Sequence, residues 1–175
     1  MEIQKIHYNS ITLDKHKIPY DCIVLDLDDT LVFSSKKRNL NIADSINVSF
    51  LDMHGDQTSL WIHKRPGFNE FLDKCFKNGK VGVWSMGQPG YVAAVVSLFP
   101  QTPEFVYNWC QCDRYNGKIF KRLDRIPCIG NIAMIDDQIR TLELCKRIET
   151  IIIPKWSLTD NSDTELYNIS LKLFL

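Results

Sequence analysis

Residues 22–32 constrain the fold of this chain most, because a buried-strand pattern there stops at three carboxylates. The apolar run 23–25 is followed by Asp26, Asp28 and Asp29. A run that is apolar on both faces is typical of a strand in a parallel sheet, and open α/β sheets bind their ligands beyond the C-terminal strand ends. Unpaired ionised carboxylates are too costly to bury. The cluster therefore predicts a bound cation, contact with water, or both.

The rest of the chain alternates between strand and helix patterns. Further buried strands are predicted at residues 81–84, 105–107, 132–135 and 150–153. Helical spacing or capping signals predict helices at residues 68–78 and 89–98, after Asp137 through Ile139, Leu142, Leu144 and Cys145, and after a capping box at 162–165. This alternation predicts an α/β fold with a doubly wound parallel sheet.

A small insert is predicted between residues 33 and 63. Two segments of alternating polarity, 46–51 and 59–63, are separated by turn residues around Gly55. This pattern favours a small antiparallel flap and no large cap domain. At 175 residues the chain is expected to form one domain over residues 1–175.

Composition excludes several classes of function. Lys+Arg and Asp+Glu both number 21, so the overall charge gives no reason to expect strong nucleic-acid or membrane binding. No apolar run approaches the length of a membrane span. The six cysteines form no CxxC pair and are expected to be reduced thiols of an intracellular protein, in the nucleus or cytoplasm. Cys110 and Cys112 lack two further ligands at zinc-site spacing.

Polar residues end three of the predicted strands. They are Asp26 and Asp28 on the first strand, Ser85 on the second, and Asp136 with Asp137 on the fourth, which Lys121 precedes. Because parallel strands place their C-terminal ends at one edge, these groups are expected to converge. Together they suit phosphoryl transfer, which needs a nucleophile, a proton donor, a divalent cation and fixed donors for the phosphoryl oxygens.

Four segments carry a family resemblance. D-L-D-D-T-L-V, the hydroxyl in V-W-S-M-G, the lysine in I-F-K-R-L and the pair in I-D-D-Q resemble, in order, the four motifs of the haloacid dehalogenase superfamily. R-P-G-F-N-E-F-L, Tyr91 and the closing W-S-L-T-D-N-S-D-T-E-L resemble the narrower family of phosphatases that act on the C-terminal domain (CTD) of RNA polymerase II, the small CTD phosphatase and NLI-interacting-factor group. The resemblance covers the chain from about residue 22 onward.

The resemblance implies a role for each motif residue. Asp26 is implied as the nucleophile that forms an aspartyl-phosphate, and Asp28 as the general acid and base. Mg²⁺ is implied as the cofactor, bound by the Asp26 side chain, the Asp28 backbone carbonyl and the fourth motif, in which either Asp137 or Asp136 is the principal ligand. The phosphate-binding residues implied are Ser85, Met86 and Lys121.

Two of these residues also have simpler interpretations. Ser85 could cap a turn or helix, and Lys121 could be a solvated helix charge. Because Lys121 stands beside Arg122 and close to Arg125, the motif could also be shifted in register.

Substrate-contacting positions depart from the family pattern. Trp109 occupies a place where the small CTD phosphatases often carry an arginine, and Arg114 could substitute for it. The flap contributes apolar residues that form either a pocket for a proline-containing peptide or the core of the flap itself: Phe33, Phe50, Leu51 and Trp61.

The function that these observations favour is a Mg²⁺-dependent phosphoserine/phosphothreonine protein phosphatase. Its expected partner is a phosphorylated peptide or protein, for which the RNA polymerase II C-terminal domain is one candidate. The alternatives are a phosphatase of the same superfamily for a small metabolite or a nucleic-acid 3′-phosphate, and a catalytically weak binding module of the same fold.

Overall fold

Ten strands and three α-helices are present in the part of the chain that the structure, a computed structural model, describes: residues 20–138, 147–158 and 161–174. The strands are β1 (Cys22–Leu25), β2 (Val32–Ser35), β3 (Ser45–Leu51), β4 (Gln57–Lys64), β5 (Lys80–Trp84), β6 (Phe105–Tyr107), β7 (Asp113–Tyr115), β8 (Lys118–Phe120), β9 (Ile132–Asp136) and β10 (Ile148–Ile152). The helices are α1 (Phe68–Asn78), α2 (Pro89–Val96) and α3 (Glu165–Phe174). Within these ranges, no helix is long and apolar enough to cross a membrane.

The central sheet has five parallel strands in the order β10-β9-β1-β5-β6. Strand β1 lies in the middle and is buried along its whole length, as its continuous apolar run predicts. Its last residue, Leu25, pairs with Val83 of β5 and Ile135 of β9. This register brings the C-terminal ends of the three strands to one edge of the sheet.

Both faces of the central sheet are covered. Residues such as Leu25 and Val83 pack on one face against α1, α2 and α3. On the other face, Val24 and Met134 contact a segment that includes a short 3-10 helix, Leu123–Arg125. The prediction of an α/β fold with a parallel sheet is confirmed. The helix predicted through Ile139, Leu142, Leu144 and Cys145 lies outside the described residues, as does the chain before residue 20.

The flap is a three-stranded antiparallel sheet in the order β2-β4-β3. The two predicted segments correspond to β3 and β4, whereas the sequence analysis predicted no strand at the position of β2. Phe50 is buried in the core, so it belongs to the flap core rather than to an open pocket, while Leu51 is 63% exposed. Phe33 and Trp61 are half-buried.

A second antiparallel element was not predicted. Strands β7 and β8 form a hairpin joined by Asn116 and Gly117, whose φ angles are 48° and 72°. Two successive residues with positive φ are typical of the type I′ turn that connects two-residue hairpins. The hairpin leads directly to Lys121, so it brings that residue toward the end of β1.

Arg65 ties the end of the flap to the C-terminal segment. Its side chain is fully buried and forms a fork with the Asp163 carboxylate, with N–O distances of 2.9 and 2.7 Å. It also donates to the carbonyl oxygens of Thr30 and Pro154, both at 3.0 Å. Asp163 accepts the backbone N–H of Glu165 at 3.1 Å, and α3 begins there. One guanidinium therefore joins three separate segments of the chain.

We predict that Arg65→Lys lowers the free energy of unfolding by at least about 2 kcal/mol, because an ammonium cannot reproduce the planar fork and leaves buried acceptors unpaired. Arg122→Lys is the matched control, since the Arg122–Asp124 pair is partly exposed and its change should lower stability much less than Arg65→Lys does. Equilibrium urea unfolding measures both. Equal losses in the two variants would contradict the structural role of Arg65.

Candidate active site

A cavity of about 180 Å³ lies at the C-terminal edge of the central sheet. Its lining residues are Asp26, Asp28, Asp29, Met86, Lys121, Asp136, Asp137 and Gln138. A larger cavity of about 420 Å³ lies beside the start of α1, but the buried cation in its wall, Arg65, is already paired with Asp163. The smaller cavity is the candidate active site because it gathers five carboxylates around one buried ammonium.

Lys121 bridges two carboxylates at the strand ends. Its Nζ lies 2.7 Å from Asp26 Oδ1 and 2.7 Å from Asp136 Oδ2, and only 2% of the residue is exposed. The interpretation of Lys121 as a solvated helix charge is therefore wrong. The neighbouring arginines do not replace it, since Arg122 and Arg125 pair with Asp113 at the surface.

Burial sets the protonation of this group of charges. Loss of water contact raises the pKa of Asp26 to about 7, against the opposing effect of Lys121 and with a further rise from Asp136. Burial alone would lower the pKa of Lys121, but its two carboxylate partners raise it on balance. The ammonium therefore stays charged, and without a bound cation the raised pKa leaves Asp26 partly protonated near neutral pH.

Three carboxylates form a potential cation site. Asp26, Asp136 and Asp137 each offer an oxygen, and these oxygens lie within 4.8 Å of one another. Asp136 Oδ1 accepts the Gln138 N–H at 2.8 Å. Among the described residues, Asp137 Oδ2 is the one buried side-chain oxygen or nitrogen without a hydrogen-bond partner. Carboxylate oxygens suit a hard divalent cation such as Mg²⁺, so the residues present fit that ion.

The Asp28 side chain lies apart from the carboxylate trio. Tyr91 of α2 donates a short hydrogen bond to Asp28 Oδ1, and Ser85 Oγ is 3.5 Å from Oδ2. Burial raises the pKa of Asp28, an effect that the Tyr91 hydrogen bond partly offsets. Tyr91 is separated from Asp28 by 63 residues, and no local pattern in the sequence indicates this contact.

Ser85 and Met86 form the turn after β5. Ser85 is buried, and its Oγ accepts the Gly87 N–H at 3.0 Å, so the turn-cap interpretation describes one of its contacts. The same hydroxyl faces Asp28, and Met86 lines the cavity. The Trp109 N–H donates to the Gly87 carbonyl at 3.1 Å, which fixes the neighbouring loop against this turn.

Arg114, which the sequence suggested as a substitute for the family arginine, contacts Trp109. Its guanidinium stands 5.8 Å from the centre of the Trp109 ring. The residue is exposed. The structure therefore joins the two positions that depart from the family pattern into one cation–π pair.

Two residues of the acidic loop, Asp29 and Thr30, contact neighbouring segments. Asp29 adopts a positive φ of 61° and pairs with Lys155 at 2.5 Å, while Thr30 Oγ1 accepts the Asp137 N–H at 3.0 Å. The Asp29 carbonyl also accepts the Trp156 N–H at 2.7 Å. The sequence alone did not indicate Lys155 as part of this loop's surroundings.

Comparison with known proteins gives a consistent result. The family model described as NLI interacting factor-like phosphatase matches residues 21–174. The chain is 30% identical over 152 residues to phosphatase PSR1 of Saccharomyces cerevisiae, a match covering 85% of this chain and 34% of PSR1. It is 34% identical over 89 residues to the putative CTD phosphatase-like protein 355R of Invertebrate iridescent virus 3, covering 47% of this chain and 45% of the viral protein. The chain thus spans less than half the length of these relatives.

A solved structure shares the fold. The fission yeast RNA polymerase II CTD phosphatase Fcp1, bound to beryllium fluoride, superposes with a TM-score of 0.55 at 21% identity. The superposition covers 68% of this chain and 37% of that chain. At this identity the similarity establishes a common fold.

The raised pKa of Asp26 predicts a pH-dependent stability in the absence of divalent cations. Its native pKa of about 7 exceeds the unfolded value of about 3.9, so the native state retains a proton that the unfolded state has lost. The stabilisation that this retained proton gives the native state is fully present below about pH 4 and is lost as the pH rises to about 7. Relative to Asp26→Asn, the wild type should lose stability over this range by up to about 1.4 kcal/mol per pH unit.

Urea unfolding in EDTA at a series of pH values measures this difference. Asp73→Asn, on the exposed face of α1, is the matched carboxylate-to-amide control and should show no such trend relative to the wild type. A difference between wild type and Asp26→Asn that stays constant with pH would contradict the buried, proton-exchanging carboxyl.

Proposed function

Because the chain belongs to the family of NLI interacting factor-like phosphatases, we propose that it is a Mg²⁺-dependent phosphoserine/phosphothreonine protein phosphatase that works through an aspartyl-phosphate. The observation that carries the proposal is the separation of two carboxylates in one loop. Asp26 faces Lys121 and the cation site, whereas Asp28 faces Tyr91 and Ser85. Carboxylates in different environments can serve as nucleophile and as acid in the same reaction.

The side chains of Asp26, Asp136 and Asp137 and the backbone carbonyl of Asp28 would hold Mg²⁺, which supplies charge neutralisation at the phosphoryl oxygens. Lys121 has three N–H donors, of which two engage Asp26 and Asp136. The third remains for a phosphoryl oxygen. The Ser85 hydroxyl and the turn at Met86 complete the contacts to the transferred group.

Two displacements at phosphorus follow from this arrangement. A carboxylate oxygen of Asp26 attacks phosphorus, and the bond to the serine or threonine oxygen breaks as Asp28 gives its proton to that oxygen. Asp28 then takes a proton from a water molecule, which attacks the aspartyl-phosphate. The P–O bond to Asp26 breaks, inorganic phosphate leaves, and both carboxyls return to their initial states.

The size of the cavity supports a macromolecular substrate. Its volume of about 180 Å³ is below the roughly 300–1,000 Å³ of sites that enclose a small molecule. It suffices for a phosphoryl group whose remaining substrate lies outside, as in a phosphorylated peptide. Relatives named as CTD phosphatase-like make a phosphorylated peptide of the RNA polymerase II C-terminal domain the first probe.

We predict that Asp26→Asn and Asp28→Asn each lower kcat/KM for a phosphopeptide by at least about a hundredfold, because each removes a group that takes part in bond making or breaking. Asp73→Asn, an exposed change of the same kind, should leave turnover unchanged. Phosphate release is measured with Mg²⁺ and with EDTA, on phosphoserine and phosphothreonine peptides, sugar phosphates and a 3′-phosphorylated oligonucleotide.

Three outcomes would contradict the proposal. Faster turnover of sugar phosphates or of the oligonucleotide than of the peptides would assign a different substrate class. Turnover that persists in EDTA or in Asp26→Asn would exclude the mechanism. Phosphopeptide binding without any turnover by the wild type would identify a binding module.

We predict that Asp137→Asn weakens Mg²⁺ binding by roughly tenfold, because the affinity of oxygen-ligand sites depends on the number of ligand charges. Titration calorimetry of Mg²⁺ into the metal-free protein measures this directly. Asp113→Asn provides the control, since Asp113 pairs with Arg122 and Arg125 on the surface. An unchanged Mg²⁺ affinity in Asp137→Asn would exclude Asp137 as a ligand.

A further inference from the structure

Tyr91 connects the flap to Asp28. Its ring packs against Phe50 of β3, and its hydroxyl donates a hydrogen bond to Asp28 Oδ1. We propose that Tyr91 is a positioning residue through which the flap orients Asp28 and directs the acid's proton to Oδ2, on the side of the transferred phosphoryl group. This inference rests on the proposed function, because it concerns the group that protonates the leaving oxygen.

The flap fixes the ring of Tyr91. The tyrosine is 6% exposed, and its ring packs edge-on against Phe50 of β3 with 5.9 Å between ring centres. This contact comes from a flap strand, whereas Tyr91 itself lies on α2. The position of the phenol oxygen therefore depends on how the flap and α2 are joined.

The flap is docked closely on the start of α2. Gln88 Oε1 accepts the Met53 N–H at 3.0 Å, which anchors the turn between β3 and β4. A Cβ atom at Gly90 would lie 2.2 Å from the Leu51 carbonyl oxygen, so only glycine permits this approach. Flap, first turn of α2 and Tyr91 thus form one packed unit.

The donor inventory assigns the direction of the hydrogen bond between Tyr91 and Asp28. A phenol has one O–H to donate, and among the described residues Asp28 Oδ1 is the acceptor that the Tyr91 hydroxyl reaches. An acid proton on Oδ1 would face that donor, so a protonated Asp28 carries its proton on Oδ2.

Oδ2 is the oxygen that faces the phosphoryl site. It lies 3.5 Å from Ser85 Oγ, the hydroxyl assigned to the transferred group. A carboxylic acid held in this orientation presents its O–H to the leaving oxygen without first rotating. Without the Tyr91 hydroxyl, the two oxygens become equivalent and the productive orientation is populated only part of the time.

The test compares Tyr91→Phe with the wild type on substrates of increasing leaving-group basicity. The series is dinitrophenyl phosphate, nitrophenyl phosphate, phenyl phosphate and a phosphoserine peptide, and kcat/KM reports the step in which the leaving oxygen departs. A stable leaving group needs no acid, whereas a basic one does. Tyr91→Phe should therefore lose roughly tenfold or more on phenyl phosphate and the peptide, and less than about threefold on dinitrophenyl phosphate.

Three companion variants define the result. Asp28→Asn removes the acid and should show the steepest dependence on the leaving group. Phe50→Leu removes the flap ring that packs on Tyr91. It should show a weaker dependence in the same direction, and it provides a second test if Tyr91→Phe fails to fold. Tyr107→Phe is the matched control, because its hydroxyl donates to the Arg125 carbonyl at 3.3 Å and is half-buried away from Asp28. It should change no substrate selectively.

The outcomes separate the two proposals. If Asp28→Asn is selective for basic leaving groups but Tyr91→Phe and Phe50→Leu affect all substrates equally or not at all, Tyr91 only packs, and the positioning role is overturned. If Asp28→Asn shows no selectivity, Asp28 is not the general acid, and both proposals are overturned. Selective losses in Asp28→Asn, Tyr91→Phe and Phe50→Leu, with Tyr107→Phe unselective, support the positioning role.

Discussion

The candidate site depends on one buried ion pair network, the Lys121 ammonium between Asp26 and Asp136. Strands β1 and β9 are neighbours, so their C-terminal carboxylates are held close together and would repel each other. An ammonium that contacts each of them at 2.7 Å offsets part of the cost of burying them. That ammonium comes from a segment outside the central sheet. The same contacts therefore bring the β7–β8 hairpin and its following loop to the edge of the sheet where the cavity lies.

The acidic loop after β1 gives its two key carboxylates different surroundings. Asp26 faces the Lys121 ammonium and the carboxylates of Asp136 and Asp137, whereas Asp28 faces the hydroxyl groups of Tyr91 and Ser85. Burial and the Asp136 carboxylate raise the pKa of Asp26, whereas Lys121 lowers it, and a bound cation would favour its ionised form further. A spacing of two residues at the end of a strand is sufficient for this separation.

Much of the fold followed from the sequence because buried parallel strands and amphipathic helices leave strong local patterns. The apolar run before Asp26 and the helical spacing from Phe68 are examples, and the family resemblance drawn from ordered motifs is confirmed. The β7–β8 hairpin was missed although Asn116-Gly117 is a strong turn signal, because its flanking strands are three residues long and largely exposed.

The contacts that complete the site could not be predicted from the sequence, for a different reason. The Tyr91–Asp28 and Lys155–Asp29 pairs join residues more than sixty positions apart, and they arise from how helices and loops pack on the sheet. Local periodicity carries no information about such pairs. The strand-end residues Asp26, Ser85 and Asp136, by contrast, could be grouped from the sequence, because parallel register alone brings them to one edge.

The charges at this edge of the sheet explain how a carboxylate at position 137, in place of an amide, affects cation binding. With Asp26, Asp136 and Asp137 ionised, one ammonium leaves two negative charges uncompensated, and burial raises the pKa of Asp137 accordingly. A bound divalent cation would bring the group to neutrality and supply a partner for Asp137 Oδ2. An amide at this position would leave a net positive charge beside the cation, which attracts phosphate more strongly but holds the metal less well. A carboxylate at this position therefore favours cation binding over phosphate attraction, and an amide would reverse that preference.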